Sequence, residues 1–418
     1  MTLQNLTRLH PIRWLSGVRI SALLLLTLIS SFSGADSLTE QQVESDSITD
    51  YMEAIDNSEG QFGAYATELS ELYLGLGNAL YAGEEYTEAL NAFQKGMQIE
   101  RVNYGLSSLS QSPYLFSIAD TERYLGNWDK SQQALERVYT INSKNYGEVD
   151  VRMLGVLDKI LAWYMDSYKD RRPKGGYANL VISERIAQRM YEILNKDMSL
   201  DDPEAPDRFR RLGYLQHVIA VHLKEHGEPS ESGLSISMSG SSGRPSKATT
   251  SHLHFRRGKL ALEKVIASVI QQPNSTETDQ ALAIAELGDW YLVFGQKAPA
   301  TAAYQLALDV LETSEDPEQT REDLFGLPRM IEFSMTKSPP MAAGDQPTES
   351  QLELAMIISI YGVPNNIEVA NPPESLSKEA LRDIRRDTRG KRFRPKLVNG
   401  LAEEAPYRML YDQPIPKG

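Results

Sequence analysis

The sequence predicts a mostly α-helical chain: an α-solenoid of stacked helix pairs over residues 65–315, followed by a small α+β domain over residues 349–416. Three observations carry this. Asn103-Tyr104-Gly105 recurs 42 residues later as Asn145-Tyr146-Gly147, each copy standing between two amphipathic stretches. Within those stretches large and small apolar residues alternate at helical spacing, as closely packed helix pairs require. Past the Pro-rich segment 316–348 the apolar period changes from helical to alternating, the signature of strands.

The N-terminus comes first in the chain and bears on compartment. Arg8, Arg13 and Arg19 are the only charges ahead of Asp36, and the apolar run Ile20–Ile29 follows them before small residues at Ser33-Gly34-Ala35. This is the layout of a signal peptide over residues 1–35, cleaved before Asp36. The alternative is an uncleaved anchor, although Ile20 to Ala35 is shorter than the roughly 20 apolar residues of a membrane span. The 418-residue chain has no cysteine and a net charge of −14. Removing the leader takes away three arginines and no acid, which moves the charge to −17. A chain so acidic repels nucleic acid as a whole, and without cysteine it can form no disulfide, thiolate metal site or lipid anchor. Residues 36–64 are expected to be a lead-in.

In the first repeat Tyr73, Leu76, Gly77 and Leu80 share one helical face. A turn at Gly83-Glu84-Glu85 leads to Tyr86, Ala89 and Phe93 on the next helix. The second copy reads Leu115, Ile118, Ala119, a turn at Gly126-Asn127, then Trp128, Ser131, Leu135 and Val138, with Glu122 where an aromatic is usual. A third reads Ile284, Leu287, Gly288, Tyr291, Gly295, Ala300, Tyr304 and Ala307. This pattern resembles the tetratricopeptide repeat, and the 42-residue offset resembles the longer repeats of the kinesin light chain type. Between these copies, Leu157, Ile160, Leu161 and Tyr164 form a stripe matched by Ile182, Ile186, Ala187 and Tyr191. A further pair is expected from Phe209–Glu225 with Phe255–Gln271, interrupted by the Ser/Gly-rich insert 228–250, which is too poor in large apolar residues to bury a core. About five pairs should therefore stack.

In the tail, Leu352–Tyr361 and Ile367 to Val369 suggest a hairpin around Gly362-Val363-Pro364-Asn365, and Ser377 caps a helix with Ala380, Leu381 and Ile384 facing inward. Phe393–Gly400 then reads as strand and turn, and Tyr407–Tyr411 as a last strand. Strand alternation places Phe393 inside and Arg392 and Arg394 on the opposite side. The hairpin, the helix and the string Arg392-Phe393-Arg394-Pro395 with Asn399-Gly400 resemble the C-terminal domain of the TonB family. Leu401-Ala402 stands where that family usually has Pro-Val. The resemblance implies a small sheet with one helix, working in the periplasm and touching other envelope proteins. The Pro-rich linker is expected to carry few contacts between tail and solenoid.

No catalytic, cofactor or metal residues are assigned, since the sequence holds no Gly-rich phosphate loop, Ser nucleophile elbow or HExxH. His217, His222, His226, His252 and His254 cluster in sequence, with His222 and His226 four apart, yet they read as solvated helix-end and loop residues. The aromatics at repeat spacing read as core. Eight basic residues between Arg382 and Lys396 suggest a contact for an acidic partner rather than nucleic acid. The expected function is a non-enzymatic periplasmic scaffold holding an envelope protein or peptide. The alternatives are an anchored accessory of TonB-type transport, which alone would involve a membrane, and a metal-binding protein using the histidines.

Overall fold

The structure, a computed structural model, describes residues 36–170, 176–197, 199–227, 247–333, 351–370, 372 and 376–412. Residues 1–35, where a signal peptide is expected, and most of the insert lie outside these residues. Helix α1 (Asp36–Phe62) opens the array, and five antiparallel pairs follow: α2 (Thr67–Ala82) with α3 (Tyr86–Tyr104), α4 (Ser112–Tyr124) with α5 (Trp128–Tyr146), α6 (Met153–Asp170) with α7 (Gly176–Asp197), α8 (Ala205–His226) with α9 (Lys247–Gln271), and α10 (Glu277–Val293) with α11 (Lys297–Leu311). Each pair packs on the next, so the chain is a one-dimensional stack.

The alternation of large and small residues explains the close approach within pairs. A side chain at Gly77 would strike the Phe93 ring, and one at Gly288 would strike the Tyr304 ring. Leu76, Ala89, Phe93, Leu115, Ala300, Tyr304 and Ala307 are buried, whereas Tyr73, Tyr86, Trp128, Leu287 and Tyr291 are half-buried. Before the first pair, Tyr51 of α1 lies against Gly75 and Ile55 is buried, so α1 shields the exposed end of the stack.

The three clearest copies share one turn. Glu85 N–H donates to Leu80 O, Asn127 to Glu122 O and Gln296 to Tyr291 O, each at 2.8 Å. The residue before each donor is left-handed: Glu84 (φ 61°), Gly126 (φ 77°) and Gly295 (φ 75°). Glu84 is the copy without glycine. Replacing it with glycine should raise stability by about 0.5–1 kcal/mol, the left-handed strain relieved less the backbone entropy glycine adds; the urea unfolding midpoint checks this. The recurring tripeptide also has a structural role. Asn103 Nδ2 donates to Ile99 O and to Tyr65 O, and Asn145 Nδ2 to Ile141 O and to Ser107 O, all between 2.8 and 3.0 Å. Each asparagine thus fastens the end of one pair to the chain entering it, and Gly105 (φ 88°) and Gly147 (φ 95°) turn the backbone away.

The segment 316–348, expected as a contact-poor linker, instead carries α12 (Pro317–Phe325) and β1 (Arg329–Met330). Asp316 caps α12 through Gln319 N–H at 3.1 Å, and Phe325 is fully buried against the last pair. The proline at the first helical position favours a helix start rather than an open chain. The tail proper is a three-stranded antiparallel sheet with β2 (Gln351–Ile358) between β3 (Pro364–Ala370) and β7 (Ala405–Asp412). Its helix α13 (Lys378–Gly390) is capped by Ser377 Oγ, which accepts from Ala380 N–H at 3.1 Å. Ile384 and Thr388 are its buried residues, while Ala380 and Leu381, expected inside, are half-exposed. The strands β4 (Phe393–Arg394), β5 (Lys396–Val398) and β6 (Leu401–Glu403) complete it. Asn399 (φ 49°) and Gly400 (φ 78°) form the left-handed turn between β5 and β6, the conformation this dipeptide favours.

Candidate protein-binding face

The first helices of successive pairs touch one another along one side of the stack. Tyr81 of α2 meets Tyr124 of α4, ring centroids 5.6 Å apart. Lys159 of α6 lies over Phe116 of α4 at 5.1 Å, and Arg123 of α4 reaches Asp170 of α6 at 3.2 Å. Asp158 of α6 is bridged by Arg208 and Arg211 of α8 at 3.1 and 3.2 Å, and Arg210 of α8 pairs with Glu286 of α10 at 2.8 Å. On this side the positions one and four residues after the helix-crossing residue recur: Asn78 and Tyr81, Asp120 and Arg123, Ala162 and Met165, Tyr214 and His217, Asp289 and Leu292. Helical periodicity stacks those two positions on one face.

The chain's own C-terminal part covers the last two of these five pairs. Phe333, just past β1, packs its ring 5.0 Å from Tyr214, 4.9 Å from His217 and 5.4 Å from Trp290. Beside it Arg394 of β4 enters the last pair, donating Nε to Asp289 Oδ1 at 3.0 Å and Nη2 to Asp289 Oδ2 at 2.6 Å. Tyr304 donates its hydroxyl to the same carboxylate at 2.8 Å. The guanidinium carbon sits 5.5 Å from the Phe325 ring centre. Burial opposes the Arg394 charge, and the Asp289 carboxylate outweighs that opposition, so its affinity for the proton rises. Burial, before any neighbour, raises the Glu286 carboxyl and lifts the Tyr304 phenol further above its usual range.

These contacts show what lies on the side of the strand opposite Phe393. Alternation places Arg394 there, and that side is the end of the solenoid, so Arg394 is 2 % exposed. Leu397 of β5 joins the core of the last pair, and Gly400 lies beside Gln305. One acidic partner of the basic run is thus Asp289, within the chain itself. Of the remaining string, Phe393 and Pro395 are buried and Arg392 is half-buried.

Over the first three pairs none of the described C-terminal residues covers the face. Tyr81, Tyr86 and Tyr124 form a cluster with Tyr86 and Tyr124 stacked at 5.1 Å, and Tyr124 is 57 % exposed. Burial and the nearby Asp120 raise the Tyr81 phenol above its usual value. Asp120 is itself raised, first by burial and then by Asp166, against the opposing field of Arg123. Glu122, the departure from the repeat pattern, is buried and accepts from Asn127 Nδ2 at 2.7 Å, fastening its own turn.

The histidines fall into separate settings. His222 and His226 do share a helix face, ring centroids 4.8 Å apart, but His222 is buried with Tyr168 at its Nδ1 (3.2 Å) and Tyr177 stacked on its ring. His254 is buried against Gln216, Nδ1 to Oε1 2.8 Å. These two correct the expectation of solvated histidines, whereas His252 is exposed. Among the described residues no group of three or more His, Cys, Asp or Glu side chains could hold a metal ion. His217 lies in the aromatic contact with Phe333, where burial, reinforced by the Lys224 charge, lowers its pKa to about 4. An unfolded histidine titrates near 6.5, so the unfolded chain takes the proton first as pH falls. The stability is therefore complete above pH 6.5 and lost on descent toward 4, by about 2 kcal/mol between pH 7 and 5. His217→Phe should flatten that part of the profile in denaturant titrations at the two pH values.

Comparison with known proteins bears on the class. Residues 68–144, which hold α2 to α5, match the tetratricopeptide repeat family model. Residues 68–144 thus carry tetratricopeptide-type repeats. A comparison with curated proteins returns no match. Among solved structures, BtubC (BKLC) of P. vanneervenii is 11% identical, with 73% of this chain and 99% of that chain covered and a TM-score of 0.39. A putative kinesin light chain of Podosopora anserina, with nearly identical TPR-like repeats, is 14% identical over 59% of this chain and 99% of that one, at a TM-score of 0.37. Among the described residues no helix is long and apolar enough to cross a membrane.

Asp289, Trp290, Phe333 and Tyr124 do not stand out in the sequence, and His217 stands out there only as one of the clustered histidines. For Asp289 and His217 the signal is the repeat register itself: they stand one and four residues after the crossing glycines Gly288 and Gly213, positions that look onto the first-helix face.

Proposed function

We propose that this protein is a non-enzymatic scaffold that holds a protein or peptide partner along the open first-helix face, and that it works in the bacterial envelope after export. The observation carrying the scaffold reading is the division of that face. Its last two pairs are filled by the chain's own tail, while over its first three, among the described residues, the exposed Tyr124 with the half-buried Tyr81 and Tyr86 and several polar groups stay uncovered. Much of the face's charge is committed to structural ion pairs between helices, which suits rigid presentation rather than proton transfer. The tetratricopeptide match supports the same reading. Export rests on the charge and hydropathy pattern of residues 1–35.

A photo-crosslinking amino acid placed in cells at Tyr124, on the open face, should yield partner adducts, whereas one at Leu260, exposed on a second helix, should not. Equal labelling from both, or none from either, rejects the scaffold reading. N-terminal sequencing of the envelope protein should begin at Asp36. A membrane-bound protein beginning at Met1 would favour the anchored transport accessory, for which the tail's string Arg392-Phe393-Arg394-Pro395 is the supporting feature.

A further inference from the structure

Resting on that scaffold reading, we infer that the open face receives an extended segment presenting an arginine side chain, and that Asp120 is its acceptor. The molecule contains the precedent. Asp289 follows the crossing residue Gly288 in the fifth pair, and there the two-residue strand Phe393–Arg394, followed by Pro395, inserts Arg394 with two hydrogen bonds to the carboxylate. Asp120 follows the crossing residue Ala119 in the second pair, so the repeat places it at the same point on the same face. The corresponding residues of the other pairs are Asn78, Ala162 and Tyr214, none of them acidic.

Asp289 is occupied, and Asp120 is not. Among the described residues Asp120 accepts no hydrogen bond and has no salt bridge within 4.0 Å. Its neighbour Arg123 supplies a positive field but gives its hydrogen bond to Asp170 at 3.2 Å, and Asp166 of the next first helix offsets part of that field. A half-buried carboxylate in that setting favours a cation supplied from outside. The surroundings also match. Arg394 has the Phe325 ring beside its guanidinium, and Asp120 has the Tyr81 and Tyr124 rings near it, where the guanidinium of Arg123 already lies 5.3 Å from the Tyr124 ring centre and shows that this surface accepts a guanidinium. Arginine is preferred to lysine because only its planar fork reaches both oxygens of one carboxylate.

The test uses the full chain and a fluorescent peptide, blocked at both ends, with the sequence of residues 391–398, Lys-Arg-Phe-Arg-Pro-Lys-Leu-Val. Fluorescence anisotropy at physiological salt should show binding that Asp120→Asn weakens about tenfold or more, as does citrulline in place of the central arginine. Tyr124→Ala, exposed and harmless to the core, should weaken it by a smaller factor. Thermal melting of both variants controls for folding. Binding that is equal in Asp120→Asn, equal for the citrulline peptide, or absent from the parent protein overturns the assignment. If crosslinks from position 124 persist undiminished in the Asp120→Asn background, the arginine assignment falls and the scaffold stands. If they never form, the scaffold itself falls.

Discussion

Replacing Arg394 with alanine is expected to destabilise the chain by about 3–5 kcal/mol, because it leaves the Asp289 carboxylate buried with its principal counter-charge gone. The Arg394 side chain is 3% exposed and that of Asp289 10%. Tyr304 still donates to the carboxylate, but one neutral hydroxyl offsets little of the cost of an uncompensated buried charge. The double variant Arg394→Met with Asp289→Asn should recover much of the loss, since it removes both charges and keeps an acceptor for Tyr304. Denaturant unfolding of the two single variants and the double one gives the coupling energy. Near-additive losses would show that water reaches the pair.

Phe393→Ala should cost a comparable amount, about 3–5 kcal/mol, the usual price of emptying a fully buried aromatic site. The ring is 0% exposed, meets Tyr407 edge-on at 5.0 Å and lies in the core that Leu352, Leu354, Ile358 and Ile384 form between sheet and helix. Its consequences should not stop at the tail. Phe393 N–H donates to Gly362 O at 3.0 Å, its strand pairs with β1, and the next residue is the arginine held by Asp289. Loosening this strand therefore loosens the fifth pair. Hydrogen exchange should rise in α10, α11 and α12 along with the tail and stay unchanged in α2 to α5, as expected of a stack coupled through nearest neighbours. Unchanged exchange in α10 would mean that the tail folds and unfolds on its own, as the Pro-rich segment 316–348 taken alone suggests.

That expectation failed for a physical reason. Prolines at 317, 328, 339 and 340 suggest an open linker, yet Pro317 stands where a helix starts and Phe325 can be buried only against another element. Whether such an element exists is not written in the local pattern. The same holds for Arg394: alternation fixes which side of the strand it occupies, but not what lies on that side.

The sequence by itself determined the helix pairs, their turns and the residues at their crossings. These depend on local spacing: a small residue opposite an aromatic ring, a left-handed turn residue seven positions later, and an asparagine that closes each of the first two pairs. It also marked the tail's strands, its capped helix and its Asn-Gly turn, because period and capping are properties of neighbouring residues. Only the tertiary structure decided that the tail folds back on the last two pairs and that Asp289, His217 and Trp290 face it while Asp120 and Tyr124 are left open. Those contacts join positions 105 residues apart in the case of Asp289 and Arg394. Their energies come from burial and charge pairing between surfaces that exist only once each module has folded.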